Sequence, residues 1–266
     1  MKVSFVGGGT MGEAIIKSLL TNGVARPGDI VVSDISQSRR DILKKKHGVK
    51  TTADNGEAVK GADVVVLAVK PQELGKLLGE MKGLSSEQLV LSIVAGATLG
   101  SIGQGLNHTC LVRAMPNMPA QIGEGITVWT ATAEVNQKQK DMAQSILAAL
   151  GKEIYASGEK YIDMATALSG SGPAYVFLIV ESLVDAGVHI GLPRDMAEKL
   201  VVQTVLGSAR AVEAMGKHPA ELKNMVTSPG GTTTEGLLQL EAGGLRSLLL
   251  QTVIAAYDKA KALGAK

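Results

Sequence analysis

The chain is poor in aromatic, cysteine and histidine side chains. Phe, Trp and Tyr make up 3% of its 266 residues, and 27 basic residues nearly balance 25 acidic ones, for a net charge of +2. Because there is no basic stripe and little stacking surface, we expect no nucleic-acid partner. A single cysteine, Cys110, cannot form an internal disulfide, which fits a reducing compartment. Its strand-like context favours a small core residue over a nucleophile.

Several other features are missing as well. The four histidines are scattered, and no Cys/His cluster with zinc-ligand spacing occurs, so we expect no metal. The N-terminus lacks an apolar segment ending in a cleavage site, so no signal peptide is expected. No stretch approaches the ~18 uncharged apolar residues of a membrane-spanning helix. The expectation is a soluble, cytoplasmic protein without a membrane partner.

The first 155 or so residues alternate between short β-branched runs and helical patterns. Continuous Val, Ile and Leu runs are typical of strands buried on both faces of a parallel sheet. Strand–helix alternation predicts right-handed crossovers. The strand-like runs are VSFVG, DIVVSD, DVVVLAVKP, QLVLSIVAG, TCLVRAMPN, GITVWTA and KEIYAS.

From about residue 160 the strand signals stop. Phe177, Val180, Val184 and Val188 form one helical stripe, and a later helical pattern ends at Gly216. About a hundred residues cannot cover so many apolar faces alone, so we expect a second subunit. The predicted fold is an α/β N-terminal domain with a mostly parallel sheet over residues 1–158, followed by an all-α domain over residues 159–266.

A dinucleotide-binding pattern opens the chain as Gly7-x-Gly9-x-x-Gly12. Alone it is a weak signal, and an ordinary glycine-rich turn is the alternative. Here it follows a strand and opens a helix, which is the context that pyrophosphate binding needs. Gly7 permits the tight turn, Gly9 lets the backbone approach a phosphate, and Gly12 lets helix and strand pack closely.

Asp34 lies 22 residues beyond Gly12, at the end of the second predicted strand. A carboxylate there accepts a hydrogen bond from a ribose 2′-hydroxyl and repels a 2′-phosphate, which favours NADH. Arg39 and Arg40 leave the alternative open: if the turn brings either one inward, NADPH would bind. The other interpretation of these arginines is a solvated helix face.

This organisation fits several hydride-transfer families and also non-catalytic cofactor sensors. Reduction of a ketone would call for a Lys or His that moves the alcohol proton, and no such constellation is visible. Reduction of a C=N bond does not need such a proton-transferring side chain, because the substrate can bind as an already protonated iminium. The sequence therefore fits an imine substrate better than a ketone.

Five motifs occur in order along the chain: LAVKP (67–71), VAGAT (94–98), RAMPNMP (113–119), LSGSGPAY (168–175) and SPGGTTTEGL (228–237). They resemble pyrroline-5-carboxylate reductase, from Val3 to Leu263. The resemblance implies a Rossmann-like domain and a helical domain that forms an interleaved homodimer. It also implies further assembly into a decameric ring of dimers, and reduction of 1-pyrroline-5-carboxylate to L-proline with NADPH or NADH.

The same resemblance implies roles for individual residues. The cofactor-binding set is Gly7, Gly9, Thr10, Met11, Gly12, Asp34, Asn55, Ala68, Val69, Lys70, Pro71, Ala95, Gly96 and Asn117. The substrate-carboxylate set is Ser228, Gly230, Gly231, Thr232 and Thr233. Relatives carry Ser, Thr or Asn-Arg near the position of Asp34, which leaves the choice between NADPH and NADH open.

The segment SPGGTTTEG, residues 228–236, carries no cation, yet it precedes a helix. The spacing Thr232-x-x-Glu235 is that of a capping box and predicts a helix start near Thr232. Free N–H groups there, with the helix dipole, can hold a carboxylate without Lys or Arg. Thr233 can bond the ring nitrogen and help pass a proton. A merely well-capped helix is the alternative.

Two motifs stay ambiguous at this stage. Ser169, Ser171 and Pro173 would make a good helix N-terminus in any protein, or a turn that closes the nicotinamide pocket. Lys70, next to Pro71, is either structural or adds positive charge near the cofactor. The rivals are another imine or β-hydroxyacid reductase of the same architecture, and a cofactor-binding regulator without turnover.

Overall fold

The structure, a computed structural model, describes residues 1–81 and 84–264. The chain divides into two compact units. The first contains Met1–Ser171 together with the chain from Ala255 onward, and the second contains Gly172–Ile254. The domain boundary predicted between residues 158 and 159 stays a prediction.

The first unit is built around one sheet. The strands of the described residues are β1 Val3–Val6, β2 Ile30–Ser33, β3 Lys50–Thr52, β4 Val64–Leu67, β5 Leu89–Ser92, β6 Leu111–Met115, β7 Gly125–Ala131 and β8 Gly151–Tyr155. Their order is β3-β2-β1-β4-β5-β6-β7-β8. All neighbours are parallel except β6 and β7, which are antiparallel. This confirms the predicted mostly parallel sheet.

Helices connect these strands. They are α1 Thr10–Thr21, α2 Gln37–His47, α3 Asn55–Val59, α4 Pro71–Glu80, α5 Leu99–Leu106, α6 Gln137–Ala148 and α7 Lys160–Ala165. The sequence PQELGKLLGEMKG, residues 71–83, has a helical pattern, and it forms a helix up to Glu80. Lys82 and Gly83 lie outside the described residues. Among the elements that gave no clear sequence signal, β3 has three residues, α3 has five, and α5 contains three glycines.

The central strands are buried on both faces, as their continuous apolar runs predict. On β4, Val64 and Val66 belong to one hydrophobic cluster, whereas Val65 and Leu67 belong to another. The strand order reverses at the pair β1 and β4, which are hydrogen-bonded from Val3 to Val6. In open parallel sheets a crevice forms at the carboxyl ends of the strands at such a point.

The second unit is entirely helical in the described residues. Its helices are α8 Gly172–His189, α9 Arg194–Met215, α10 Pro219–Met225, α11 Thr232–Ala242 and most of α12 Leu245–Gly264. The predicted stop at Gly216 is confirmed, since this residue is left-handed with φ +60°. Of its apolar side chains only Val184 and Ala197 are buried, whereas Phe177 and Leu250 are 51% and 63% exposed. A single chain therefore leaves this unit without a core of its own.

One segment corrects an expectation from the sequence. By length and composition alone, Lys160–His189 could cross a bilayer. The expectation that no stretch approaches the length and apolar composition of a membrane-spanning helix was therefore wrong. Only 11% of its most apolar window is buried within the chain, so this segment needs an apolar partner surface.

Strands β7 and β8 approach each other closely at their first residues, Gly125 and Gly151. A Cβ on Gly151, whose φ is +133°, would overlap the carbonyl oxygen of Gly125 on the neighbouring strand. We expect Gly151→Ala to destabilise the protein by about 2–3 kcal/mol through strain and overlap. The measurement is thermal or denaturant unfolding at fixed protein concentration.

The matched control is Gly75→Ala, inside α4. No atom lies within 4 Å of a Cβ at Gly75, so this variant should gain about 0.5–1 kcal/mol from helix propensity. Equal stability of the two variants would contradict the packing argument.

Candidate functional site

The turn after β1 carries the glycine pattern and brings two strands into close contact. Gly7 has φ +97°, and a Cβ there would lie 2.8 Å from the carbonyl carbon and oxygen of Ala68, which follows β4. A Cβ on Gly12 would lie 2.7 Å from the oxygen of Gly7. These two glycines are therefore required by backbone approach, as the sequence predicted.

Gly9 has a different role from its two neighbours in the pattern. It is the N-cap residue of α1, and no side chain caps this helix. A Cβ on Gly9 would meet no atom within 4 Å, so the space in front of the helix is open to a ligand. Free N–H groups and the positive end of a helix dipole are features that favour an anion. Thr10 and Met11 are the first two residues of α1.

A groove of about 310 Å³ opens beside this turn. Of the predicted cofactor residues, its lining contains Gly7, Gly9, Asp34, Asn55, Ala68, Val69 and Lys70. It does not contain Thr10, Met11, Gly12, Pro71, Ala95, Gly96 or Asn117. Sequence reasoning did not assign the other lining residues, which are Val6, Ser33, Ile35, Glu73, Lys76, Leu77 and Glu80. Ile35 is 88% exposed and offers an apolar surface directly after Asp34.

Asp34 is tied to the backbone on both carboxylate oxygens. One oxygen accepts the N–H of Gly8 at 2.9 Å, and the other accepts the N–H of Ser36 at 2.8 Å. The residue predicted to contact the ribose thus also holds the glycine turn against the end of β2. Lone pairs remain on both oxygens for a hydroxyl group.

The two arginines of α2 turn inward, so the interpretation of a solvated helix face is wrong. Arg39 donates from Nε to the oxygen of Gly8 and from Nη2 to the oxygen of Gly9 at 3.3 Å. Its side chain is 24% exposed. Arg40 donates from Nη1 to the oxygen of Asp34 at 2.6 Å. Both guanidinium groups therefore bond backbone oxygens, Arg39 at the glycine turn and Arg40 just after β2.

Glu13, in the first turn of α1, forms ion pairs with three basic side chains. Its carboxylate pairs with Arg39, with Lys46 Nζ at 2.8 Å and with His47 Nε2 at 3.1 Å. Burial of the Glu13 carboxyl raises its pKa, but the hydrogen bonds from Lys46, His47 and Arg39 lower it more, from 4.5 to about 2. Nothing in the local sequence identifies this cluster, because Glu13 is 26 to 34 positions away from its three partners.

The remaining predicted cofactor residues follow other strands at the same edge. Gly96, after β5, has φ +75°, and a Cβ there would lie 2.8 Å from the Cβ of Leu263. Ala95 precedes it in this turn. Asn117, after β6, is buried and accepts the N–H of Ile126 with its Oδ1 at 3.0 Å. Asn55 begins α3, and Pro71 begins α4 after Lys70.

A buried arginine near these strands was also missed. Arg113 of β6 is 2% exposed and donates to Glu159 at 2.8 Å and to Asp163 at 2.7 Å. The same Glu159 oxygen accepts the N–H of Leu99 at 2.7 Å. Arg113 therefore fastens α7 to β6 and, through Glu159, to the start of α5.

In the second unit, residues 228–231 form a tight turn before α11. The predicted helix start at Thr232 is confirmed, but the capping box does not form, because the N-cap residue is Gly231 and has no side chain. Within the turn, the N–H of Gly231 and the hydroxyl of Thr234 both donate to the oxygen of Ser228, at 3.0 and 2.7 Å. Gly230 has φ +66°. The hydroxyls of Thr232 and Thr233 bond no other group among the described residues.

In LSGSGPAY, α8 does begin at Gly172, with Pro173 as its second residue, but Ser169 does not cap it. Residues Thr166–Gly170 form a π-helical turn between α7 and α8, and the N–H of Ser171 bonds the oxygen of Thr166 at 2.8 Å. Ser169 donates back to Ala165 at 3.0 Å instead of capping a helix. π-helical turns are frequent at functional sites.

Comparison with known proteins decides the family. Residues 2–96 match the family model described as NADP oxidoreductase, coenzyme F420-dependent, and residues 159–263 match pyrroline-5-carboxylate reductase dimerisation. A pyrroline-5-carboxylate reductase of Synechocystis sp. is 42% identical over 266 residues, covering 100% of this chain and 99% of that protein. The chain belongs to the pyrroline-5-carboxylate reductase family.

Solved structures of the family agree with this assignment. A pyrroline-5-carboxylate reductase from Coxiella burnetii has a TM-score of 0.90 at 42% identity and covers 98% of each chain. A pyrroline carboxylate reductase from Plasmodium falciparum with NADP bound has a TM-score of 0.91 at 33% identity, over 99% of this chain and 98% of that one. The predicted two-part fold is thereby confirmed, with a Rossmann-like domain followed by a helical dimerisation domain.

The Glu13 cluster yields a pH-dependent prediction for this reductase family member. Because folding lowers the pKa of Glu13 from 4.5 to about 2, its ionised form stabilises the folded state above pH 4.5. That stabilisation is lost as the pH falls towards 2. We expect Glu13→Gln to lower the Tm near pH 6 and to approach the wild-type Tm as the pH falls towards 2.

Glu124→Gln is the matched control, because Glu124 is exposed and forms no ion pair among the described residues. Its Tm difference from wild type should stay small throughout. A Glu13→Gln difference that does not depend on pH would contradict the assigned role of the charge.

Proposed function

We propose that this chain reduces 1-pyrroline-5-carboxylate to L-proline with NADPH or NADH, the last step of proline biosynthesis. The observation that carries the proposal is the match to reductases of this name over the whole chain at 42% identity, with both glycine-rich segments in place. The two units contribute separately, the first with the dinucleotide groove and the second with the turn before α11.

The residues of the first unit fit a dinucleotide. The glycine turn leaves open space at Gly9, the residue before α1 begins. We assign Gly7, Gly9, Thr10, Met11 and Gly12 to the pyrophosphate, and Asp34 and Asn55 to the adenosine. The nicotinamide ribose and ring are assigned to Ala68, Val69, Lys70, Pro71, Ala95, Gly96 and Asn117.

The carboxylate of the substrate is assigned to the turn before α11. Its contacts would come from Ser228, Gly230, Gly231, Thr232 and Thr233. The N–H of Gly231 and that of Thr234 are engaged within the turn, which leaves those of Thr232 and Thr233 as donors at a helix N-terminus. Such donors bind an anion by geometry and dipole rather than by a cationic side chain.

The chemistry asks little of the protein beyond orientation. Bound NADPH or NADH supplies a hydride, which adds to C5 of the cyclic imine. The ring nitrogen carries a proton and becomes the amine of proline, so substrate, hydride and one proton account for the product. Thr233 is assigned to the ring nitrogen, where its free hydroxyl orients the imine and helps deliver the proton.

The helical unit is assigned to a homodimer. Its exposed apolar side chains, with only two buried ones among the described residues, fit a surface that a second copy covers. Further assembly into a decameric ring of dimers belongs to the same proposal. So do a cytoplasmic location and the absence of nucleic-acid and membrane partners.

The direct test is turnover with synthetic 1-pyrroline-5-carboxylate. We expect oxidation of NADPH or NADH, followed by its absorbance, with one proline formed per cofactor consumed. Turnover of a β-keto acid but not of the imine would favour the rival hydroxyacid reductase. Cofactor binding without any turnover would favour the regulator.

Variants of the turn before α11 test the placement of the substrate. Thr233→Ala should lower kcat/KM for the imine about tenfold, the value of roughly one hydrogen bond. Thr233→Ser should keep most activity, because it keeps the hydroxyl. Both cofactor KM values should stay near wild type.

Thr234→Ala is the comparison variant. The Thr234 hydroxyl donates a hydrogen bond to the Ser228 oxygen. Without this bond the turn should be less rigid, and KM for the imine should rise more than kcat falls. If Thr233→Ala weakens cofactor binding instead of imine binding, the turn belongs to the cofactor and the assignment fails.

A further inference from the structure

The glycine turn contains three consecutive glycines, Gly7, Gly8 and Gly9. Such a run has an unusually large number of backbone conformations in the absence of other contacts. A phosphate cradle requires N–H groups that point consistently in one direction. Some other part of the molecule therefore has to fix these peptide planes.

Hydrogen bonds to Asp34, just after β2, and from Arg39 of α2 fix these peptide planes. Gly8 is held at both ends, since its N–H donates to Asp34 at 2.9 Å and its oxygen accepts from Arg39. Arg39 also reaches the oxygen of Gly9 at 3.3 Å. A Cβ at Gly8 would lie 2.5 Å from Cδ1 of Leu43, so this residue is confined sterically as well.

The direction of these bonds decides their consequence. In a trans peptide the C=O of one residue and the N–H of the next point in opposite directions. When Arg39 draws the Gly8 and Gly9 oxygens towards itself, the N–H groups of Gly9 and Thr10 are turned away from it. These are two of the donors assigned to the pyrophosphate.

Arg39 is in turn held by the Glu13 carboxylate. Lys46 and His47 bind the other oxygen of that carboxylate, at 2.8 and 3.1 Å. The Arg39 guanidinium therefore lies on the side of the carbonyl oxygens. It does not lie on the side of the N–H groups, where it would contact the ligand.

We propose that Arg39, fixed by Glu13, is a positioning residue that orients the peptide groups of Gly8 and Gly9 for pyrophosphate binding, and that it does not read the 2′-position of the cofactor. This rests on the proposed dinucleotide function of the groove. Removing Arg39 should weaken ligands with a diphosphate, whether or not they carry a 2′-phosphate.

The experiment is calorimetric binding of ADP, AMP and adenosine 2′,5′-bisphosphate to the purified full chain. We expect Arg39→Met to weaken ADP about tenfold, comparable to one charge-assisted hydrogen bond. The ratio of AMP to adenosine 2′,5′-bisphosphate affinity should not change. A selective loss of the 2′,5′-bisphosphate, with ADP unaffected, would overturn the proposal and make Arg39 a 2′-phosphate ligand.

Glu13→Gln separates positioning from simple charge. It removes a negative charge near the phosphates, so electrostatics alone predicts tighter ADP binding. The positioning role predicts weaker ADP binding, because Arg39 loses its support. Tighter binding in this variant would contradict the proposal.

Two further variants complete the design. Lys45→Met removes one exposed charge from the same helix, and its ADP affinity should stay close to wild type. Arg39→Lys covers the case in which Arg39→Met does not fold, and it should weaken ADP, since an ammonium cannot span both oxygens. If wild type itself binds no ADP, the proposed cofactor site fails as well. If wild type binds ADP and both Arg39 variants match it, only the positioning role fails.

Discussion

The close approach of two backbone segments, at the carboxyl ends of β1 and β4, is the constraint on which the cofactor groove depends. Gly7 lies so near Ala68 and Val69 that a Cβ would be 2.8–2.9 Å from their backbone atoms. The parallel pairing of β1 with β4 sets this distance, and the reversal of strand order leaves the crevice beside it. A side chain at position 7 would separate the strands or close the groove.

Local patterns predicted most of this first unit, for a physical reason. Strands buried on both faces require continuous apolar residues, and a turn that touches a neighbouring strand requires glycine, so both leave a signature in a few consecutive positions. Arg39 left none, because its acceptors Gly8 and Gly9 are 31 and 30 positions away. Arg113 and its carboxylates, 46 and 50 positions apart, were missed for the same reason.

In the helical region the sequence predicted helices better than it predicted their ends. Ser169 and Pro173 suggested a helix start, and α8 does begin at Gly172, but a π turn leads into it instead of a side-chain cap from Ser169. Thr232 suggested a capping box, but it is the first residue of the helix, and the N-cap position before it is held by Gly231, which has no side chain. Helix ends are predicted from side-chain patterns. In α8 and α11, the backbone geometry of the preceding turn determined how the helix begins. The excess of apolar faces was predicted correctly, because it follows from composition alone.

The two assigned ligand sites use the same device. Both α1 and α11 begin after a glycine, Gly9 and Gly231, and neither helix has a side-chain cap. An ordinary cap of Ser, Thr, Asp or Asn would satisfy the first N–H groups internally. Its absence leaves those donors to an anionic ligand, which binds without a cationic side chain in direct contact. Orientation of neutral donors then determines affinity, so a cation such as Arg39 is most useful behind the turn, where it holds the peptide groups in place.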